Sequence, residues 1–322
     1  MVTASAPGKL ILCGEHAVVY RRPAIALPLP DVRATVTISA APAGSGVVFE
    51  APDLQASWTA SEAAAEAADR PGRPLTVLYT LAARQLGLGT GGDLVIRLGS
   101  AIPIAGGLGS GAAIGAALVR ALAAYAGAEL SAAEIAGLVL ESERFFHGTP
   151  SGIDNTVVSY EQAIWYVRGA GEPPGPAVLE PLAVRAPIDL VIGDTGVRSP
   201  TRATVGRVRE GWLRDAQRFE SLFDVIASTV YQARSHLAAG DVPSLGRALD
   251  RNQALLEELG VSSPELERLI VAARSAGAYG AKLSGGGGGG VMFALVDRVG
   301  RESVVQALYE AGAVRVLSTT AP

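Results

Sequence analysis

The chain is poor in lysine, cysteine and aromatic residues. Of 27 lysines and arginines only Lys9 and Lys282 are lysine, which leaves 27 − 2 = 25 arginines. Against that bias each lysine draws attention, because a compact ammonium does chemistry that a planar guanidinium does poorly. The single cysteine, Cys13, excludes an intrachain disulfide and a cysteine-based zinc site. It fits a reducing, cytoplasmic compartment. No basic block offsets the net charge of −4, so the counterion-displacing face that nucleic acid binding needs is missing. A small anion is not excluded, since a few aimed backbone N–H groups bind one locally. Long apolar runs are also lacking. The segment LILC at 10–13 is too short for a signal peptide. The uncharged stretch 98–119 carries the GxxxG spacing of membrane dimers at Gly107, Gly111 and Gly115, but Pro103 and its glycines deny it sustained apolar bulk. The expectation is a protein with neither a membrane nor a nucleic acid as partner.

What is present is a large core. Hydrophobic residues make up 49% of 322 positions and charged residues 18%, which excludes a disordered chain and favours two domains. Strand patterns fall at 10–13, 32–38, 46–50, 93–98, 163–168, 188–193, 291–296 and 313–317. Helical periodicity marks 75–86, 110–126, a helix opened by the Ser131/Glu134 capping box, and 201–238, 243–259, 264–276 and 300–311. The pattern is α+β. A Pro/Gly loop at 169–181 places the domain boundary, giving domains 1–183 and 184–322.

Three segments carry chemistry. The loop IPIAGGLGSGAA lies between a strand and a helix, where glycine lets an anion approach the backbone and a helix start offers unpaired N–H donors. Gly107, Gly109 and Ala112 fit a loose dinucleotide fingerprint, so an NAD-dependent oxidoreductase is the competing reading. No acidic residue stands on a strand about 20 positions further on, and neither lysine has Walker context. In APGKLILCGEH, Lys9 beside a strand end suits a phosphate or a developing alkoxide. On the 131-onward helix, Ile135, Leu138, Val139, Ser142 and Phe146 form one face, with Glu143 on its shoulder as a salt-bridge partner or a magnesium ligand. Asp154 follows the turn Thr149–Gly152 and is either a cap or a catalytic carboxylate.

Taken in order, APGKLILCGEHAVVY at 6–20, the glycine loop, ERFFHGTPSGIDN at 143–155, DTGVRSPT at 194–201 and GAKLSGGGGGG at 280–290 resemble the GHMP small-molecule kinase superfamily. GEHAVV together with PSGIDN is similar to its mevalonate-phosphorylating branch. The resemblance implies a two-domain GHMP kinase fold, with an N-terminal domain like ribosomal protein S5 domain 2 and a ferredoxin-like C-terminal domain. It implies ATP as co-substrate, Mg²⁺ as cofactor, and transfer of the γ-phosphoryl group to the C5 hydroxyl of (R)-mevalonate. Other acceptors, such as phosphomevalonate or a sugar, are the alternative within the family, and a homodimer is left open.

By position, the resemblance makes Asp154 the catalytic base and Lys9 the cation beside it. Ala105, Gly106, Gly107, Leu108, Gly109, Ser110, Gly111 and Ala112 would bind the ATP phosphates. Glu15, His16, Gly152 and Thr195 would line the mevalonate pocket, and Gly285, Gly286, Gly287 and Gly288 form the third glycine motif. Glu143 would hold the metal, with Ser110 as a second donor. The family loop usually reads GLGSSA, and its second serine, a magnesium ligand, is replaced here by Gly111. Gly286 stands where alanine is common. Lys282 belongs to the third motif without an assigned role.

Overall fold

The computed structural model describes residues 1–65, 72–89, 92–103, 106–147, 152–171, 175, 177–199 and 201–322. In chain order, β1 (Val2–Cys13), β2 (Pro23–Ala40), β3 (Val47–Ala51) and β4 (Ala56–Thr59) precede α1 (Ala60–Ala65) and α2 (Arg73–Gln85). Next come β5 (Leu94–Ser100), α3 (Ser110–Tyr125), α4 (Ala132–His147), α5 (Ile153–Tyr160), β6 (Ile164–Val167), β7 (Val178–Pro181) and β8 (Ile188–Asp194). The rest is α6 (Thr201–Arg214), α7 (Ala216–Ala239), α8 (Val242–Glu258), α9 (Pro264–Ser275), β9 (Gly280–Ser284), β10 (Val291–Val296), α10 (Arg301–Glu310) and β11 (Arg315–Ala321).

The chain forms two compact units from interleaved segments. Residues 1–8, 32–102 and 109–161 make the first; 9–31, 103–108 and 162–322 make the second.

In the first unit, β5 lies between the second half of β2, antiparallel, and β3, parallel. Ala34, Val36 and Ile38 are fully buried while Arg33, Thr35 and Thr37 are half-buried, the period-two signature of a sheet with one face on a core. Helix α3 is buried on nearly every side and packs against α2, α4 and α5. Its small residues permit that closeness: a Cβ at Gly115 would stand 3.0 Å from Leu78 of α2. Of the three glycines in the GxxxG spacing, Gly115 therefore serves packing inside a domain, and among the described residues no helix is long and apolar enough to cross a membrane. The capping box is formed as expected, with Ser131 N–H donating to Glu134 at 2.8 Å and Glu134 N–H to Ser131 at 3.3 Å.

In the second unit, β8, β9, β10 and β11 form an antiparallel sheet in the order β11-β8-β10-β9. Helices connect its first strand to its second and its third to its fourth, the ferredoxin-like arrangement expected for the C-terminal half. All of β10, VMFALV, is buried, as a central strand covered on both faces must be.

Three local expectations change. The 201–238 helix is two helices: Asp215, at φ −145°, caps α7 by accepting the Arg218 N–H at 3.1 Å. Apolar periodicity runs on through both helices and hides that break. The end of the 169–181 loop is strand β7, paired with β6, and all four of its side chains are exposed, so no alternation betrays it. GAKLS, which bears no assignment in the sequence reading, is the fully buried strand β9.

Candidate active site

The second unit gathers Lys9, Glu15, His16, Thr195, Gly106–Leu108 and the third glycine motif into one neighbourhood. Lys9 is 3% exposed near the end of β1, and its backbone N–H donates to Leu108 O at 2.9 Å. Residues 106–108 lie against the third motif: a Cβ at Gly107 would stand 3.1 Å from Ser284 O, and one at Gly290 3.2 Å from Gly106 O. The six-glycine run is an ordered turn, as its place before β10 suggested. Gly288 N–H donates to Val261 O and Gly290 N–H to Val197 O, both at 2.8 Å. Thr195 closes the turn by donating its hydroxyl to Gly290 O at 2.8 Å.

Glu15 and His16 sit on a tight turn after β1. Gly14 takes φ 106°, and a Cβ there would run into the backbone of Pro23 and Ala24, so only glycine fits. His16 has φ 59° and ψ −49°, a conformation costing a side chain-bearing residue about 1–3 kcal/mol and held only where its surroundings over-determine it. Its ring Nε2 lies 3.0 Å from Gly286 O. Burial lowers its pKa from 6.5 to about 4, the bond to Gly286 opposing and the charges of Lys282 and Arg207 adding to the effect. The imidazole is neutral at physiological pH.

Glu15, 1% exposed, pairs through Oε1 with the Lys282 ammonium, itself fully buried. Burial pushes the Glu15 carboxyl above the usual carboxylate range while Lys282, and more weakly Lys9, pull it down. The two lysines of the chain thus act on one carboxylate. Lys282 also donates to Leu283 O at 2.6 Å and lies 5.3 Å from the centre of the Phe293 ring. Removing one member of such a pair costs about 3–5 kcal/mol, because the other is left charged and buried. Sequence reasoning missed this partnership: residues 15 and 282 share no local spacing, and the rarity of lysine was the one available signal. Cys13 is buried beside them, and desolvation raises its thiol pKa, so it is an inert core residue.

The first unit carries the other candidates. Gly109, at φ 70°, is the N-cap of α3 and, as glycine, brings no side chain to cap it. Its first-turn N–H groups, from Ser110, Gly111 and Ala112 onward, are the donors that a phosphate needs. Among the described residues a Cβ at Gly111 would meet nothing within 4 Å. Glu143 is half-buried on α4, beside a buried face that includes Ile135, Leu138, Val139 and Ser142, as expected. Ala105 and the Thr149–Ser151 part of its turn lie outside the described residues, as does the side chain of Phe146. Gly152, at φ 86°, is the residue before α5, and Asp154 stands half-buried in the first helical turn. Asp154 is therefore not the cap. It sits where the helix's positive end favours a carboxylate. Its neighbour Asn155, 3% exposed, donates to Ala136 O at 2.9 Å and so ties α5 to α4, the helix that bears Glu143. Among the described residues no group of three or more His, Cys, Asp or Glu side chains is arranged to hold a metal.

The model of the GHMP kinases N terminal domain matches residues 75–162 and that of the GHMP kinases C terminal domain residues 233–314, and the chain belongs to the GHMP kinase family. Mevalonate kinases are among its relatives there. It is 34% identical to that of Pyrococcus horikoshii over 98% of this chain and 95% of the relative. It is 36% identical to that of Aeropyrum pernix over 96% and 94%. The crystal structure of L. major mevalonate kinase in complex with R-mevalonate superposes with a TM-score of 0.84 at 28% identity, covering 100% of this chain and 96% of that one. The dinucleotide reading of the first glycine loop falls with this membership.

Proposed function

We infer that the chain transfers the γ-phosphoryl group of ATP to the C5 hydroxyl of (R)-mevalonate, giving 5-phosphomevalonate and ADP. The observation that carries this reading is the end-to-end likeness to mevalonate kinases. Phosphoryl transfer asks a protein mainly for positioning and charge neutralisation. The α3 N-terminus and its glycines hold the phosphates. Asp154 accepts the proton of the C5 hydroxyl, an alcohol too weak to attack unaided at neutral pH. Lys9 offsets the negative charge that develops on that oxygen. By their place in the family's motifs, Glu15, His16, Gly152 and Thr195 are the residues assigned to the acceptor.

Mg²⁺ fits the donors present. A hard cation that keeps several waters needs only one or two carboxylates once phosphates supply the rest, and half-buried Glu143 offers one, with the Ser110 hydroxyl as a second donor. When bound, the ion neutralises charge on the phosphates. The boundary between the family's two domains is placed near residues 183 and 184, supported by matches that lie one on each side of it. A reducing cytoplasm suits the single buried thiol.

The test is ADP release from ATP with mevalonate, phosphomevalonate, galactose or homoserine as acceptor. Turnover with mevalonate alone is expected; strong turnover with another acceptor and none with mevalonate overturns the assignment.

A further inference from the structure

Lys282 has no part in the chemistry above, yet it is wholly buried and bonded to the residue next to His16. Two features of the second unit meet in this place. Glu15, just before the strained His16, is anchored on Lys282 of β9. The ring of His16 is anchored on Gly286, four residues further along the same segment. One continuous stretch, 282–286, therefore fixes both the backbone of the turn and the orientation of the ring. A backbone carbonyl only accepts, so His16 Nε2 carries the proton toward Gly286 O and Nδ1 keeps its lone pair. The residue retains 5% of its surface open. Its burial, and the charges of Lys282 and Arg207 facing it, keep the ring neutral.

We propose that Lys282 is a positioning residue for substrate recognition: by clamping Glu15 it fixes the Gly14–His16 turn and the Nε2–H tautomer of His16, so that Nδ1 is presented as an acceptor for a substrate hydroxyl. The identity of that hydroxyl rests on the mevalonate reading; the tautomer belongs to the free protein. A lone pair at Nδ1 welcomes a hydroxyl and repels a carboxylate, so the device sets which end of a hydroxy acid this ring contacts. Arginine is no substitute for Lys282, since its longer planar fork does not fit an enclosed point contact with Glu15, Leu283 O and the Phe293 ring.

The experiment is imidazole ¹⁵N NMR at pH 7 on the whole chain labelled at its three histidines, with the His16 signals assigned by their loss in His16→Asn. The wild type is expected to show His16 in the Nε2–H form alone; an Nδ1–H or cationic ring overturns the proposal. In Lys282→Met, tautomer averaging should accompany a rise of at least about tenfold in KM for mevalonate, the cost of one misplaced hydrogen bond. KM for ATP should stay within about twofold, and Lys282→Arg should not restore the wild-type pattern. If Lys282→Met does not fold, the double variant Lys282→Met/Glu15→Gln, which leaves no buried charge unpaired, should reproduce both effects. A folded variant with an unchanged tautomer and an unchanged KM for mevalonate overturns the proposal, as does full rescue by arginine. Lowered stability without a shift in tautomer reads as a merely structural role and overturns it equally. If mevalonate proves not to be the substrate, the function fails while the NMR result still decides the role of Lys282.

Discussion

The two glycine-rich segments use a missing side chain in opposite ways. At Gly111, in the first turn of α3, a Cβ would meet nothing within 4 Å among the described residues. In the turn after β9 an added Cβ would collide at four glycines: with Thr201 Cγ2 at 2.9 Å from Gly286, with the Val261 carbonyl from Gly287, with Ser199 Oγ at 2.9 Å from Gly288, and with Val197 O at 2.8 Å from Gly289. The first segment sets glycine at the start of a helix, where an added Cβ finds no described neighbour. The second keeps it so that neighbouring backbone can close down and make a floor for Thr195 and His16. A count of glycines does not separate these uses. The surroundings do: among the described residues the first unit's glycine has an open Cβ direction, and the second unit's glycine turn is packed.

The largest expected effect sharpens this division. Asp154→Asn, in the region of chemistry, should lower kcat by about 10²–10⁴, the usual contribution of a positioned general base, or roughly 3–5 kcal/mol of barrier. Its unfolding free energy should move by less than about 1 kcal/mol, as for a half-buried residue outside the core. Steady-state kinetics and urea unfolding on the same preparation decide it; an active Asn variant removes Asp154 from the base role. Gly287→Ala should do the reverse. Alanine at φ 74° costs about 1–2 kcal/mol, and the backbone carbonyl of Val261 cannot swing aside as a flexible side chain would. A total loss of roughly 2–4 kcal/mol is expected in urea unfolding. An unperturbed Gly287→Ala would mean that the turn is not packed as described.

The open region was more legible in the sequence than the packed one, and the reason is range. The glycine loop, the helix after it, the capping box and the half-buried shoulder position of Glu143 all follow from residues within a few turns of one another. The Glu15–Lys282 pair joins positions 267 apart, and nothing local to either announces the other. The same holds for the contacts of Val197, Thr201 and Val261 with the glycine turn. Pattern could say that 285–290 is a loop before a strand, but tertiary contact alone says that it is a crowded one. Exposed strand β7 and the cap at Asp215 were missed for a different cause: the first has no buried face to alternate against, and the second interrupts a helix whose apolar period continues across the break.

A pH titration tests the packed region through His16. Its pKa is about 4 in the folded chain against 6.5 in the free side chain, so between these values the unfolded chain binds a proton that the folded chain refuses. The stability is whole above pH 6.5 and is lost as pH falls toward 4. From pH 7 to 4.5 the loss from this group is roughly 2–3 kcal/mol. Glu15, raised in the folded chain, works in the opposite sense: it weighs against the fold as pH rises through and above the ordinary carboxylate range. Comparing wild type with His16→Asn cancels Glu15 to first order, since both chains keep it. The variant should show the shallower acid limb in denaturant unfolding. Equal slopes would mean that the ring is protonated in place and the turn is looser than its bonds imply.

Gly111→Ser should give the smallest effect and is the direct probe of the open region. Among the described residues an added Cβ meets nothing within 4 Å, and serine in a helix is favoured over glycine by a few tenths of a kcal/mol. Unfolding free energy should therefore stay level or rise by about 0.3–0.5 kcal/mol. The new hydroxyl would restore the family's second loop serine. If it reaches the metal, one added oxygen ligand worth about 0.5–1.5 kcal/mol lowers the Mg²⁺ concentration for half-maximal turnover by about two- to tenfold. A loss of stability would show that the space in front of α3 is not open, which breaks the contrast with the packed turn. An unchanged Mg²⁺ requirement in a stable variant would assign that ligand position to Ser110 or to water, and would leave Gly111 as the residue that keeps the phosphate end of the helix clear.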